Sequence, residues 1–270
     1  MRKLSLREVQ LMQLELMRIV DEFCLKNNIR YYLIAGSCLG AIRHGGFIPW
    51  DDDIDIALMR DDYDRFIDLF GRSCEHGKYS IQNYFTDSHF VPALSRICIE
   101  GTYMDIPSER HLKNRKNTYI DIFPLDNVPD DLKNRKRQKN SLKIIDFLMN
   151  LKQYHVYRGT LSERLIKRIV SLMLTVLPLK FLQRVRYRIM TEYSSVETSC
   201  VCSTTSKYGY DKQIIDRAVY GEPVRTMFDG IEVNIPRQTE TYLRILYGSN
   251  YMQLPPEEKR VRPQEVYIGK

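Results

Sequence analysis

The sequence predicts an α+β fold, in which a mixed β-sheet is flanked by helices and the second half contains a largely helical insertion. Residues 4–26 and 61–70 carry apolar side chains at helical spacing. Residues 53–56 instead alternate acidic and apolar side chains, which is the period of a strand. Helical spacing returns between about 130 and 188. This mixture of strands and separate helices is typical of an α+β domain.

Capping and turn signals bound the predicted elements. Ser5 lies three residues before Glu8 and predicts a capping box for the first helix. Pro124 is expected to close the third of the later strands. The predicted helices cover residues 4–26, 37–43, 61–70 and most of 130–188, with another near 240–246. The predicted strands cover residues 30–35, 53–56, 79–85, 93–99, 119–123 and 231–235.

Length and composition allow one large domain or two small ones, since the chain has 270 residues of which 43% are hydrophobic and 28% charged. We predict a catalytic core in 1–128, a basic, mostly helical region in 129–200, and a C-terminal segment in 201–270 that packs back on the core. The N-terminal residues lack an apolar signal-peptide region, and the six cysteines show no CxxC spacing. Reduced thiols and a cytoplasmic location are therefore expected, including a peripheral place on the cytoplasmic face of a membrane.

The net charge of +7 is unevenly distributed. Residues 110–188 hold 19 Lys and Arg against 6 Asp and Glu, whereas the remainder holds 22 against 28. A basic middle predicts an anionic partner such as a polyphosphate substrate or anionic lipid. No RNA-binding motif accompanies it, so nucleic acid is not the expected partner.

An apolar run over residues 166–182 falls short of the ~20 residues that a transmembrane helix needs. A buried core helix is the first interpretation of this run. The second is a helix on a membrane surface, with peripheral contact through the basic and apolar region 160–188.

The stretch 35–56 carries the most chemical information. Asp53 and Asp55 alternate with isoleucines, so both carboxylates are expected on one face of a strand. Two acids so close repel each other unless a cation lies between them, and Mg²⁺ prefers oxygen ligands. The Gly36-Ser37 turn offers backbone N–H groups to a phosphate. A metal beside a phosphate site predicts transfer of a phosphorus-containing group.

A third acid, Asp121, lies on the predicted strand 119–123. It would meet Asp53 and Asp55 if the two strands were neighbours in the sheet. Asp126 is the alternative third carboxylate. A strand, a Gly-Ser turn, a short helix and an acidic strand, in that order, resemble the nucleotidyltransferase-like fold.

Three wider blocks resemble the LicD family. They are RHGGFIPWDDDID at 43–55, DIFPLD at 121–126 and YGSNYMQLPPEEKR at 247–260, in the order of the family. The family includes bacterial phosphocholine transferases that decorate surface glycans. It is also similar to the fukutin-related proteins, which transfer ribitol phosphate to a glycan.

The resemblance implies a transferase for substituted phosphate groups that depends on Mg²⁺ or Mn²⁺. A CDP-activated alcohol, with CDP-choline favoured, would bind with the metal. A hydroxyl of a glycan or lipid-linked glycan (lipopolysaccharide, teichoic acid or capsule precursor) would attack the phosphorus on the alcohol side, and CMP would leave. The motif match makes Asp53, Asp55 and Asp121 the catalytic carboxylates and metal ligands, and Asp121 is also a candidate general base. The implied substrate-binding residues are Gly36, Ser37, Arg43, Trp50 and Asp51.

Several of these roles have two interpretations. Arg43 either reaches a phosphate or pairs with the acidic run. Trp50 either packs against the acidic strand or stacks on a base or a choline ammonium. Asp51 would support the metal from outside its direct ligands. The competing functions are transfer of an NMP from an NTP to a small molecule or RNA, and a binding module without catalysis.

Overall fold

The computed structural model describes residues 1–73, 77–106, 116–154, 160–204, 208–260 and 264–269. Cys74, the basic stretches 110–115 and 155–159, and residues 261–263 of the tail lie outside this set. The helices are α1 (Leu6–Lys26), α2 (Ala35–His44), α3 (Arg60–Ser73), α4 (Leu132–Tyr154), α5 (Leu161–Met173), α6 (Leu179–Met190), α7 (Arg217–Tyr220) and α8 (Thr239–Tyr247). The strands are β1 (Arg2–Lys3), β2 (Tyr32–Leu33), β3 (Asp55–Met59), β4 (Tyr79–Gln82), β5 (Ser95–Ile99), β6 (Thr102–Asp105), β7 (Thr118–Val128), β8 (Cys200–Cys202), β9 (Ile214–Asp216), β10 (Val224–Phe228), β11 (Ile231–Ile235) and β12 (Glu265–Ile268).

The main sheet has the strand order β2-β3-β7-β5-β4. β3 and β7 run parallel, and their neighbours pair antiparallel, so the sheet is mixed. β8 continues the pairing along the far end of β7, and β9 pairs with β8. Helices α1 and α3 pack on the central strands. The α+β prediction is therefore confirmed.

The register of β3 against β7 places Asp55 directly opposite Asp121. Neighbouring strands lie ~4.8 Å apart and residues in register share a face, so these two carboxylates emerge side by side. The expected adjacency of the two acidic strands is confirmed.

β7 is longer than predicted and runs through Pro124. The N–H of Asp121 points to β3, where it donates to Ile54 O. By alternation the nitrogen of Pro124 points to the other side, where β5 has already ended opposite Ile122. Proline removes no ladder hydrogen bond there, which is why the strand continues.

The beginning of α2 differs from the prediction. Gly36 and Ser37 lie inside the first turn of α2 rather than in a turn before it. Ile34 is still extended, and Ala35 makes the reversal with a positive φ of 47°. The N–H of Ala35 donates to the hydroxyl of Tyr242 at 3.0 Å, so a distant side chain supports this unusual backbone. The capping box of α1 is present as predicted.

The prediction of a buried core helix over 166–182 is wrong. α5 ends at Met173, a 3-10 turn follows, and Pro178 is the N-cap of α6. Proline cannot continue a helix because it lacks the N–H and its ring clashes with the preceding turn. Leu174 and Leu182 are buried against α4, but most apolar side chains of α5 are exposed.

The C-terminal strand returns to the N-terminal part of the chain. β12 lies between β1 and β6 in a small antiparallel sheet, and β10 and β11 form a hairpin. α8 packs against α2. None of the described helices is long and apolar enough to cross a membrane.

Candidate active site

An open cavity of about 550 Å³ lies where the acidic loop, the start of α2 and the C-terminal segment meet. Its lining includes four carboxylates from residues 51–55, several aromatic rings and two basic side chains. The residues used below are Gly36, Arg43, Trp50, Asp51, Asp52, Asp53, Asp55, Tyr119, Tyr208, Tyr247, Tyr251 and Gln264. The predicted acids Asp53 and Asp55 thus reach one cavity.

The carboxylates of Asp51, Asp52 and Asp53 have oxygens within 4.8 Å of one another. Burial, followed by the charges of Asp55, Asp51, Asp121 and Asp52, raises the pKa of Asp53 well above its usual range. The groups acting on Asp53 are therefore other acids. This clustering of hard oxygen donors under mutual repulsion fits a divalent cation such as Mg²⁺.

Neutral side chains hold the main chain of this acidic loop. Gln10 donates to Asp51 O at 2.9 Å, and Gln13 donates to Asp52 O at 2.8 Å. Both glutamines are buried on α1, where a purely apolar face would be ordinary. Sequence reasoning missed them. The available signal was two amides three residues apart on the buried face of an amphipathic helix.

Ser37 and Gly36 position the acids from the side of α2. The N–H of Asp55 donates to the hydroxyl of buried Ser37 at 2.8 Å, which fixes the start of β3. Gly36 lies so close to Asp51 that a Cβ there would be 2.9 Å from Oδ2. The Asp51 carboxylate therefore lies against the first turn of α2, where the helix dipole favours negative charge.

Asp121 is held by an arginine that the sequence did not indicate. Arg96 Nε lies 2.8 Å from Asp121 Oδ1, and its guanidinium lies over the ring of Tyr119 at 3.7 Å. Arg96 is on β5, opposite Asp121 in the antiparallel register. Asp121 is thus positioned beside Asp55 by a buried ion pair.

Asp126, the alternative third carboxylate, does not line the cavity and forms an ion pair with Arg60 instead. It lies five residues further along β7, which corresponds to roughly 16 Å of strand. Arg60 binds both of its oxygens, with Nε–Oδ1 at 2.7 Å and Nη2–Oδ2 at 2.8 Å, and both side chains are buried. This ion pair joins α3 to β7.

Arg43 reaches the cavity and binds the C-terminal segment. Its Nη1 donates to the carbonyls of Tyr251 and Gln253 at 3.1 and 3.2 Å, and its Nε donates to His44 Nε2 at 3.0 Å. Burial lowers the pKa of Arg43. Within the described part of the chain no carboxylate pairs with it, so the ion pair with the acidic run does not form.

Aromatic rings also line the cavity. The hydroxyl of Tyr208 donates to that of Tyr247 at 3.0 Å, and the two rings are edge-on with centroids 5.9 Å apart. Trp50 carries the guanidinium of Arg260 over its ring at 4.4 Å. One face of the Trp50 ring is therefore already covered by a cation of this chain. Sequence analysis did not identify Tyr208 as a residue of the site.

Gln264, which directly precedes β12, contacts the acidic loop. The N–H of Gln264 donates to Asp52 Oδ2 at 2.5 Å. Burial raises the pKa of Asp52, although this hydrogen bond opposes the shift. The described part of the C-terminal tail thus contacts the acidic loop directly.

Carboxylates on two adjacent parallel strands, facing the N-terminal turn of a short helix, define a nucleotidyltransferase-like site. Residues 28–160 match the family described as LicD/FKTN/FKRP, nucleotidyltransferase domain. Residues 28–160 therefore contain a LicD-type domain, as the sequence blocks at 43–55 and 121–126 indicated.

Three relatives accompany this match. The lipopolysaccharide cholinephosphotransferase LicD of Haemophilus influenzae is 27% identical over 276 residues, covering 99% of this chain and 100% of that protein. The human ribitol 5-phosphate transferase FKRP is 53% identical over 34 residues, which are 13% of this chain and 7% of that protein. A short segment of 48 residues is 50% identical to an uncharacterised protein of Rickettsia prowazekii.

Proposed function

We propose that the protein transfers a phospho-alcohol, most favourably phosphocholine, from a CDP-activated donor to a hydroxyl of a cell-surface glycan and releases CMP. One observation carries this proposal. The acids of the loop and of β3 share a cavity with aromatic rings and with Arg43, in a chain that aligns end to end with a cholinephosphotransferase. The cavity volume lies within the ~300–1,000 Å³ usual for small-molecule sites.

In this proposal Asp53 and Asp55 bind Mg²⁺ or Mn²⁺, with Asp121 as the third carboxylate and Asp51 in support. The metal would offset the negative charge of the donor phosphates. Arg96 holds Asp121 in place through its ion pair. The buried hydroxyl of Ser37 holds the main chain of Asp55 at the required position.

The donor is recognised by two kinds of group. Arg43 and the first turn of α2 at Gly36 face the diphosphate, because both present positive charge or N–H donors. The rings of Tyr208 and Tyr247 suit a trimethylammonium group, which aromatic faces attract, and Trp50 would add only the face that Arg260 does not cover. The acidic loop adds opposite charge beside them.

The transfer step balances as a substitution at phosphorus. The acceptor oxygen forms a bond to the phosphorus on the alcohol side, and the bond from that phosphorus to the bridging oxygen breaks. The electron pair leaves with CMP, and the acceptor hydroxyl would give its proton to Asp121, the candidate general base. A glycan, free or linked to lipid, supplies the hydroxyl.

Release of CMP tests the proposal. The protein is incubated with Mg²⁺, a glycan extract, and CDP-choline, CDP-ribitol, CDP-glycerol or CDP-ethanolamine in turn. We expect CMP from CDP-choline, with a loss of more than ~100-fold in the Asp53→Asn/Asp55→Asn variant because metal ligands are removed. The matched control is Asp64→Asn/Asp68→Asn, which removes two half-exposed acids of α3.

The outcomes separate the candidate functions. CMP from another donor would change the alcohol and keep the reaction. Pyrophosphate from an NTP, without CMP from any donor, would favour nucleotidyl transfer instead. Equal CMP release by the two double variants would contradict the assigned site.

A further inference from the structure

α5 turns its apolar side away from the protein. At about 100° per residue its exposed apolar side chains fall within an arc of about 140°. The residues of this arc are Leu161, Leu165, Ile166, Ile169, Leu172 and Met173, each more than half exposed. The opposite side holds Ser171, which is buried, and Lys167, which is half-buried. We call the six apolar residues the α5 face.

The α5 face belongs to an ordered helix. A capping box of Thr160 and Glu163 starts α5. Just beyond its end, Leu174 is buried with Ile145 and Met149 of α4. The core therefore anchors the helix at its C-terminal end while the apolar face stays outside.

The exposed apolar surface continues beyond α5 through Val176, Leu177 and Phe181. Together with the α5 face these are nine side chains, each exposing on the order of 100 Å², so the patch approaches ~1,000 Å². The largest apolar patch of a typical monomer is ~300–600 Å². A patch of this size is expected to bind a partner.

The charges beside the patch identify the kind of partner. Residues 161–190 contain seven Lys or Arg and a single acid, Glu163. Arg186 is buried against Asp146, and the other six basic residues are at least partly exposed. An isologous contact with a second copy would bring these basic residues of both chains together, which is unfavourable. An anionic lipid surface instead satisfies both the apolar face and its basic borders.

We propose that α5 and the start of α6 dock on an anionic membrane, with the helix lying in the plane of the interface. The apolar side chains enter the boundary between headgroups and acyl chains, and the basic residues contact the headgroups. This docking would bring the site to a lipid-linked glycan acceptor, a consequence that rests on the proposed function. The binding itself does not.

Sedimentation with vesicles tests the docking. Vesicles of phosphatidylcholine are compared with vesicles in which about a third of the lipid is phosphatidylglycerol. We expect the protein to bind the anionic vesicles and to be released by salt, because charged headgroups attract the basic borders. The Leu165→Glu/Leu172→Glu variant should bind at least ~10-fold more weakly. The matched control is Leu11→Glu/Leu25→Glu, which makes the same change at two exposed leucines of α1.

Three results would overturn the proposal. They are no binding to anionic vesicles, equal binding by both double variants, and a wild-type dimer that becomes monomeric in Leu165→Glu/Leu172→Glu without any vesicle binding. Circular dichroism melting checks that both variants fold. CMP release with a soluble glycan is measured in parallel. Vesicle binding without CMP would contradict the proposed function alone, and CMP without vesicle binding would contradict the docking alone.

Discussion

Gly36→Ala is expected to impair the site while leaving the fold intact. An added Cβ would lie 2.9 Å from Asp51 Oδ2 and 4.0 Å from its Cγ. The atom it meets is the end of a flexible side chain, so the carboxylate moves and the helix does not. Ordinary contact requires a displacement of roughly 0.5 Å.

Stability and activity should respond differently to Gly36→Ala. Alanine is favoured over glycine in a helix by up to ~1 kcal/mol, which offsets part of the local crowding, so the free energy of unfolding should stay within about 1 kcal/mol of wild type. A misplacement of ~1 Å at a reacting centre costs about 100-fold in rate. Half of that displacement should lower kcat/KM about tenfold, which equals ~1.4 kcal/mol.

The assay pairs CMP release with urea denaturation of the same samples. Gly71→Ala is the matched control, because Gly71 also lies within a helix and its Cβ would meet only Ile81 Cδ1 at 3.7 Å. That control should be slightly more stable and fully active. In an Asp51→Ala background, Gly36→Ala should cause no further loss of activity, since the displaced carboxylate is gone.

Either of two results would refute this reasoning. One is a Gly36→Ala enzyme with kcat/KM within about twofold of wild type, which would mean that the position of Asp51 is unimportant. The other is a further tenfold loss in the Asp51→Ala background, which would place the effect on the backbone of α2 instead.

Two further predictions concern stability. Asp126→Ala should lower the free energy of unfolding in urea by about 3–5 kcal/mol, because Arg60 is left buried without its partner, whereas Asp126→Leu/Arg60→Met should be closer to wild type; a loss below ~1 kcal/mol in the single variant would contradict this. A backbone hydrogen bond from Ser5, with help from Arg2, lowers the pKa of Glu8 from 4.5 to about 2. The stabilisation by the ionised Glu8 of the capping box is therefore complete above about pH 4.5 and is lost as the pH falls through 2. Glu8→Gln should therefore make the melting temperature depend less on pH in acid. An unchanged pH dependence in this variant would contradict the prediction.

Sequence periodicity predicted the parts of the fold that depend on local pattern. The alternation of acids and isoleucines predicted a strand over 53–56, but β3 begins at Asp55, so Asp53 lies in the loop before it. The pattern around Asp121 correctly placed that residue on a second strand. In the structure these two strands are neighbours in the sheet, so Asp55 lies directly opposite Asp121. The capping box of α1 was likewise local, since Ser5 and Glu8 are three residues apart.

Contacts between distant residues could not be predicted in this way. Arg96 and Arg60 are two of many arginines, and only the sheet register and the packing of α3 show which aspartate each binds. The positive φ of Ala35 depends on the hydroxyl of Tyr242, more than two hundred residues away. For α5, periodicity showed which side chains share a face but not whether that face is turned inward, which is why the core-helix prediction failed.

The acids of this chain differ in how their negative charge is offset, and this difference supports a cation at the acidic loop. Asp126 is buried and carries an arginine on both oxygens, so its charge is offset by the fold itself. Asp53 is influenced by burial and by four other carboxylates. The side chains that hold its loop, Gln10 and Gln13, bind main-chain carbonyls and add no charge. Such holders keep the acids at fixed positions without reducing their repulsion, which is the arrangement that preorganises a metal site. Within the part of the chain that the structure describes, Gln10 and Gln13 thus hold the main chain of the loop with neutral groups, which supports the metal site of the proposed function.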